Sequence, residues 1–340
     1  MKNILVTGGA GFIGSAFVRH MVAVYPHYNI ITYDKLTYAG NMDNLLSVSD
    51  EPNFQFVRGD IADRETVRRA LTDHDIDTVV NFAAESHVDR SILSADVFIH
   101  TNSVGVYILL DEGRTHGIER FLQVSTDEVY GNVPVGESVE ADALAPRNPY
   151  SAAKAGGELM VHAYHETYGM NTIITRGSNT FGPYQYPEKL LPFFITEALD
   201  DKPLPLYGDG LQTRDWLYVD DHVGGIDLAL HQGDAGGIYN IAGEDLRHNI
   251  DVARAMLARL GKPESLLRHV PDREGHDLRY AMNCDKLRAL GWQRRFTWET
   301  ALDQTVQWFQ DNGWWWRKIK TGEYLEYYQR QYAARLAAAE

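Results

Sequence analysis

Short apolar runs and longer amphipathic stretches alternate along the first half of this chain. Ile4-Leu5-Val6, Ile30-Ile31-Thr32-Tyr33, Phe54 to Val57, Thr78 to Phe82, Phe121 to Val124 and Asn171 to Thr175 each read as a buried strand. Between them lie helical patterns: one through Ala16, Phe17, His20 and Met21, then Arg64 to Leu71, Val97 to Asp111, and Ala152 to Tyr168. Strands separated by helix-length segments predict βαβ units, and so an α/β fold built on a doubly wound parallel sheet. Right-handed crossovers place the loops after Val6, Asp34, Phe82 and Val124 on one edge, where open α/β sheets collect ligands. After about Thr180 the pattern changes. Pro183, Pro187, Pro192, Pro203 and Pro205 punctuate short segments, which predicts a smaller C-terminal lobe over that edge. Gly237-Ile238-Tyr239-Asn240-Ile241 predicts a strand returning to the main sheet, and Asn249 to Leu260 another helix. Trp314-Trp315-Trp316 and the segment from Tyr324 onward predict an aromatic, then Ala-rich, helical tail that packs on the body or on a second subunit rather than on a ligand.

Composition narrows the classes. With 340 residues, 44% apolar and 23% charged, the chain can bury a large core. A formal net charge of −15 argues against nucleic acid, which needs clustered Lys and Arg, but permits an anionic ligand held by a few arginines. The one cysteine, Cys284, leaves no internal disulfide framework and reads as a core or surface thiol, not a nucleophile. No apolar run approaches the roughly 18 residues of a membrane span, and Ile4-Leu5-Val6 is too short for a signal-peptide core. The expectation is a cytoplasmic enzyme with no membrane or nucleic-acid partner. No His/Cys cluster has metal-ligand spacing, so no metal site is expected.

Chemistry enters at the first strand. Gly8-Gly9-Ala10-Gly11-Phe12-Ile13-Gly14 follows it and opens a helix, and satisfies both a G-x-G-x-x-G and a G-x-x-G-x-x-G spacing. Such a turn brings backbone close to a pyrophosphate and aims a helix N-terminus at its charge. Asp34, 20 residues after Gly14, suits ribose hydroxyls and disfavours a 2′-phosphate, which predicts NAD; Lys35 beside it argues mildly the other way. Gly59-Asp60-Ile61 and Phe82-Ala83-Ala84-Glu85-Ser86 close later strands with small residues against which the dinucleotide can lie. Asp60 reads equally as a helix N-cap. The division expected is 1–180 as an NAD-binding Rossmann domain, with a strand near 237–242 rejoining it, 181–330 as mainly the substrate-binding lobe, and 331–340 as tail.

Tyr150-Ser151-Ala152-Ala153-Lys154 puts a phenol and an ammonium four apart, on one helix face. A cation beside a phenol favours the phenolate, which makes Tyr150 a candidate base for a hydroxyl proton. Ser125-Thr126-Asp127-Glu128 ends the strand before it. Acids at a helix N-terminus can serve the macrodipole alone. At the ligand edge, the pair Asp127 and Glu128 can instead take a C–H proton and protonate a leaving hydroxyl. In the other lobe Asn179, Glu188-Lys189, Arg214, Asn249, Arg273 and His276 are scattered polar candidates, with two arginines able to clamp a diphosphate.

Together these residues resemble the extended short-chain dehydrogenase/reductase superfamily and, within it, the dTDP-glucose 4,6-dehydratases. The resemblance rests on Asp34-Lys35-Leu36-Thr37-Tyr38-Ala39-Gly40-Asn41, Glu85-Ser86-His87-Val88-Asp89-Arg90-Ser91, Thr126-Asp127-Glu128-Val129-Tyr130-Gly131, Pro187-Glu188-Lys189-Leu190, Arg214-Asp215-Trp216-Leu217-Tyr218-Val219 and Gly275-His276-Asp277. The Thr-Asp-Glu triplet is the most specific part, since related 4-epimerases lack the acid pair there. It implies a redox-neutral cycle on tightly held NAD. Tyr150, with Lys154 and Thr126, deprotonates the sugar 4-hydroxyl as hydride leaves C4. Glu128 removes the C5 proton, Asp127 protonates the departing C6 hydroxyl, and hydride returns to C6. The product implied from dTDP-glucose is a 4-keto-6-deoxy sugar nucleotide.

The resemblance also implies cofactor contacts from Gly8, Gly11, Phe12, Ile13, Gly14, Asp34, Lys35, Thr37, Asp60, Ile61, Phe82, Ala83, Ala84, Ser86, Thr101, Ser125, Tyr150, Lys154 and Thr180. Substrate contacts are implied for Ser86, His87, Thr126, Asn179, Glu188, Lys189, Pro205, Leu206, Tyr207, Arg214, Asn249, Arg273 and His276. Among these Glu188 and Lys189 read the pyrimidine, and Arg214 and Arg273 hold phosphates. Two segments depart from the family's pattern: Arg273-Glu274-Gly275-His276 stands for Arg-Pro-Gly-His, and Gly177-Ser178-Asn179-Thr180-Phe181-Gly182 for Cys-Ser-Asn-Asn-Tyr-Gly. A homodimer is implied, through the helices around Val97 to Asp111 and Ala152 to Tyr168. The competing readings are a nucleotide-sugar 4-epimerase, the same dehydration on UDP- or CDP-glucose, and a dinucleotide sensor without turnover.

Overall fold

A computed structural model of the chain describes residues 1–272 and 276–337. Seven strands form one all-parallel sheet: β1 (Asn3–Thr7), β2 (Asn29–Asp34), β3 (Phe54–Arg58), β4 (Thr78–Asn81), β5 (Arg120–Thr126), β6 (Thr172–Gly177) and, later in the chain, Gly237–Ile241. The spatial order from one edge is β3, β2, β1, β4, β5, β6 and Gly237–Ile241, the returning strand that the apolar run predicts. The strands are buried on both faces, which is why they read as continuous apolar runs rather than alternating ones. Ile4 and Val6 face one core, Leu5 the other, and all three are fully buried. Each such side chain stabilises the fold by about 1.5–3 kcal/mol through area removed from water.

The chain order reverses between β1 and β4, so their carboxyl ends flank a topological switch point. β5 is longer than its apolar run and carries Ser125 and Thr126 to that edge. The helix Pro149–Tyr168 then begins with Pro149 in its first turn and Asn148 as N-cap, in a reciprocal capping box with Ser151. The stretch predicted as one helix from Val97 is helical from Asp96 to His116, with a π-helical segment at His100–Gly105.

The smaller lobe contains two short sheets. β7 (Asn179–Phe181), β9 (Thr213–Tyr218) and the strand Leu246–His248 form one, and β8 (Leu204–Tyr207) pairs in parallel with Leu267–Val270 in the other. Its helix Leu190–Leu199 is buried almost throughout. One apolar cluster runs from Ile4 and Phe17 through Phe193 and Leu217 to Trp316 and Tyr332, so the two lobes share a core. The aromatic tail packs on the body as its composition predicts. Trp315 Nε1 donates to Asn44 Oδ1 at 2.9 Å, and Tyr332 stacks on Phe193 with centroids 5.0 Å apart. Cys284 is fully buried, and burial pushes its thiol up to about 11, an unreactive environment. No helix among the described residues is long and apolar enough to cross a membrane.

Candidate functional site

The glycine turn after β1 requires glycine on steric grounds. Gly8 has φ +68°, and a Cβ there would lie 2.5 Å from the Ala83 nitrogen. A Cβ on Gly14 would lie 2.3 Å from the Gly8 oxygen. The helix Phe12–Val24 begins here with no side-chain cap at Gly11, leaving its first backbone N–H groups to a ligand. Asp34, at the end of β2, accepts from Ala10 N at 3.0 Å and Leu36 N at 2.8 Å, which orients its carboxylate beside the turn. Burial still raises its pKa despite those two bonds. Lys35 is tied to Asp60 at 2.6 Å, so the cation that argued for a 2′-phosphate is already paired. Asp60 is not the helix cap that the sequence allowed; that role falls to Asp63, which accepts from Glu65 N and Thr66 N.

These elements enclose a cavity of about 370 Å³. Every residue for which cofactor contact was expected lines it, from Gly8 and Phe12 through Lys35, Thr37, Ile61, Phe82 and Thr101 to Ser125 and Thr180. Its shape and chemistry fit a dinucleotide: backbone close at one end, a ribose-seeking acid in the middle, and hydroxyl and acid groups at the other.

At that far end β5 delivers the triplet. Thr126 caps a one-turn 3₁₀ helix, Asp127–Tyr130, by accepting from Glu128 N at 3.2 Å, and its hydroxyl donates to Asp127 Oδ1 at 3.1 Å. Asp127 is buried, and its Oδ2 has no hydrogen-bond partner. Burial, and then the neighbouring Glu128 carboxylate, push the Asp127 carboxyl up to about 8, so it is protonated at neutral pH. Glu128 Oε2 accepts from Asn148 Nδ2 at 3.3 Å.

Tyr150 and Lys154 share one face of the helix Pro149–Tyr168, and both are buried. The electrostatics differ from expectation. Burial and then Glu128 raise the Tyr150 phenol, against a hydrogen bond to Thr126 that lowers it. Lys154 instead donates to the Val124 carbonyl at 2.7 Å, and burial lowers its ammonium to about 8. The predicted lowering of the phenol by its lysine is therefore absent from the protein alone, because desolvation and two acids dominate.

A second cavity, of about 160 Å³, opens beside the first and shares Glu128, Asn179, Glu188, Lys189, Leu190 and Trp216 with it. It is lined by His87, Pro205, Leu206, Tyr207, Arg214, Asn249 and His276, all expected to touch substrate. Arg273 lies outside the described residues. The Asn179 and Asn249 side-chain oxygens are buried without hydrogen-bond partners. Arg214 is fixed by donating to the Thr213 and Asp277 carbonyls, both at 2.9 Å, with its guanidinium 4.4 Å from the Tyr280 ring centroid. Glu188 meets Arg90 Nε at 3.3 Å and accepts from Tyr38 OH at 3.2 Å, while Lys189 donates to the Ser86 carbonyl at 2.7 Å. His276 Nδ1 lies 2.6 Å from Asp272 Oδ1. Among the described residues no cluster of His, Cys, Asp and Glu could hold a metal.

Sequence reasoning missed several lining residues, among them three polar aromatic ones. Tyr332 lines the second cavity, although the tail was expected to touch no ligand. Tyr280 lines it as well. His222 lines the first; its Nδ1 is 2.7 Å from Thr180 Oγ1, and burial lowers its pKa to about 3. None sits in a local pattern that signals a site.

The family model described as GDP-mannose 4,6 dehydratase matches residues 5–305. A dTDP-glucose 4,6-dehydratase of Streptomyces niveus is 46% identical over 324 residues, 94% of this chain and 96% of that protein. A crystal structure of a dTDP-glucose 4,6-dehydratase from Streptomyces venezuelae with NAD bound matches with a TM-score of 0.91 at 47% identity, covering 94% of this chain and all of that one. A UDP-glucose 4-epimerase of Thermus thermophilus complexed with NAD matches with a TM-score of 0.85 at 30% identity, over 91% of this chain and 99% of that one.

Proposed function

We propose, from the premise that this chain belongs to the GDP-mannose 4,6 dehydratase family, that it is an NAD-dependent dTDP-glucose 4,6-dehydratase, a hydro-lyase. The observation that carries this reading is the buried Asp127, a carboxylic acid at neutral pH, next to Glu128 where the two cavities meet. An epimerase needs one base for a hydroxyl. A dehydratase needs an acid and a base besides, and both are present here.

NAD held along the first cavity would supply the redox chemistry, an acceptor for hydride from C4 and a donor of it to C6, so that the C4 ketone remains in the product. The chain's residues do the proton work. Tyr150 takes the 4-hydroxyl proton, and the hydrogen bond from Thr126 favours its phenolate. The C4 carbonyl acidifies the C5–H bond, and Glu128, oriented by Asn148, removes that proton and, after exchange with solvent, returns one to C5 as C6 is reduced. Asp127 gives its proton to the leaving C6 oxygen, so water departs instead of hydroxide. Two environments thus separate an acid from a base in adjacent residues. In the second cavity Arg214, already ordered by two carbonyls, faces the diphosphate, and Pro205, Leu206 and Tyr207 flank the nucleoside. Lys189 and Glu188 stand at the pyrimidine end.

The division of labour at about residue 180, a cytoplasmic location and a homodimer belong to the same proposal. The dimer is supported by exposed Val97, Ile99, Val104 and Leu159, apolar side chains on the two adjacent helical segments expected to pair. Incubation with dTDP-glucose tests the activity. Mass spectrometry is expected to show a product lighter by one water that carries a ketone. Formation of dTDP-galactose, or no turnover with NAD bound, would reject the reading.

A further inference from the structure

A network on the far side of the acid pair has no part in the chemistry above. On the helix Pro149–Tyr168, Glu158 follows Tyr150 and Lys154 at the next helical repeat of the same face. Its carboxylate is 2% exposed and receives Arg176, 3% exposed, at 3.0 Å from Nε and 2.6 Å from Nη2. The remaining Nη1 of Arg176 donates to the Tyr130 hydroxyl at 2.7 Å. That hydroxyl donates to Asn240 Oδ1 at 2.8 Å, on the strand that rejoins the sheet. Tyr130 is the last residue of the 3₁₀ turn that begins with Asp127 and Glu128.

The fully desolvated ion pair therefore joins the element carrying the phenol and ammonium to the element carrying the two acids. A buried pair of this kind adds little net stability over apolar residues of the same volume. What it does provide is a fixed direction: the Arg fork bonds the carboxylate twice and leaves one donor pointing at Tyr130. The 3₁₀ turn is four residues long, and its backbone alone cannot hold carboxyl groups to the tolerance that proton transfer requires.

We propose that Tyr130, Arg176 and Glu158 are positioning residues, which set the distance between the acid pair and the Tyr150–Lys154 face and so keep elimination in step with oxidation. The inference rests on the dehydratase reading. Tyr130→Phe keeps the ring, with the Arg176 guanidinium 4.7 Å from its centroid, and removes the hydroxyl's hydrogen bonds to Arg176 and Asn240. With dTDP-glucose and NAD-loaded enzyme in rapid-quench single turnover, loss of the C6 oxygen is expected to slow about 10- to 100-fold. The initial rise of reduced-cofactor absorbance should stay within about twofold, and Tm within about 3 °C. Glu158→Leu with Arg176→Met, which removes both charges at once, folds and shows the same step-selective loss. Equal slowing of both steps, or no slowing of either, would overturn the assignment.

A second readout needs no turnover. Isotope-edited infrared titration of the Asp127 carboxyl is expected to show its midpoint falling by about one unit or more in Tyr130→Phe, as the turn relaxes toward solvent. An unchanged midpoint overturns the positioning role even if the wild type dehydrates dTDP-glucose. A shifted midpoint in a protein that fails to dehydrate it would preserve the positioning role and reject the activity.

Discussion

Replacing Asp127 by Asn separates the cost of this side chain from its use. Folding moves its carboxyl from an ordinary 3.8 to about 8, which corresponds to roughly 5–6 kcal/mol between its two protonation states. Relaxation of the site and water entry reduce the effect to about 3–5 kcal/mol. The sign follows from proton uptake. Between pH 3.8 and about 8 the native state holds a proton that the unfolded chain has released. Stability must therefore fall as pH rises through that window, then level off. Asparagine removes the dependence but places an amide donor where Oδ2 has no partner, at a cost of about 1–3 kcal/mol. The variant is expected to unfold at higher urea than the wild type at pH 8.5, by about 1–3 kcal/mol, and at equal or lower urea at pH 4.5. Urea titrations at the two pH values, with both proteins equally loaded with NAD, measure this. The variant should also lose dehydration. A stability difference independent of pH would refute the claim that Asp127 is held protonated.

Glu128→Gln is expected to reduce the rate of C5 proton loss by at least about 100-fold while oxidation at C4 survives; single-turnover absorbance would show reduced cofactor accumulating, and equal loss of both steps would misassign the base. Asp227, which lines neither cavity, offers a pH test, since it bonds His20 at 2.7 Å and His231 at 2.8 Å. That bond raises His231, so its contribution is complete below about 6.5 and vanishes as pH rises through the raised value. Burial opposes ionisation of Asp227, but the two histidines outweigh it and hold its pKa below the ordinary 3.8, so the contribution disappears again only in strong acid. Asp227→Asn should therefore lower Tm most near pH 5 and least above pH 8, as differential scanning calorimetry would show. Leu159→Glu, a charge on the exposed apolar face, should halve the mass seen by light scattering without altering far-UV circular dichroism.

Local patterns carried most of the scaffold. Parallel strands buried on both faces must be continuous apolar runs, so Ile4-Leu5-Val6 and Gly237 to Ile241 were readable in advance. The glycine turn was readable because Gly8 and Gly14 have no room for a Cβ. Thr126-Asp127-Glu128 stood out because two acids at the ligand edge have few structural uses. What escaped was set by contacts between distant segments. The orientation of Lys154 toward Val124 depends on β5, not on the spacing to Tyr150. Nor could spacing show that Lys35 would be neutralised by Asp60, or that Tyr332 would fold back to line the second cavity. Arg176 and Glu158 are 18 residues apart and meet only because β6 lies beneath the helix that carries Glu158.

Turnover of dTDP-glucose in deuterium oxide tests the central claim most directly. If the C4 ketone lets Glu128 remove the C5 proton while Asp127 expels the C6 oxygen, the product has lost one water, keeps the ketone and carries one solvent deuteron at C5. A product that retains its C6 hydroxyl, or one with unlabelled C5, would contradict the account.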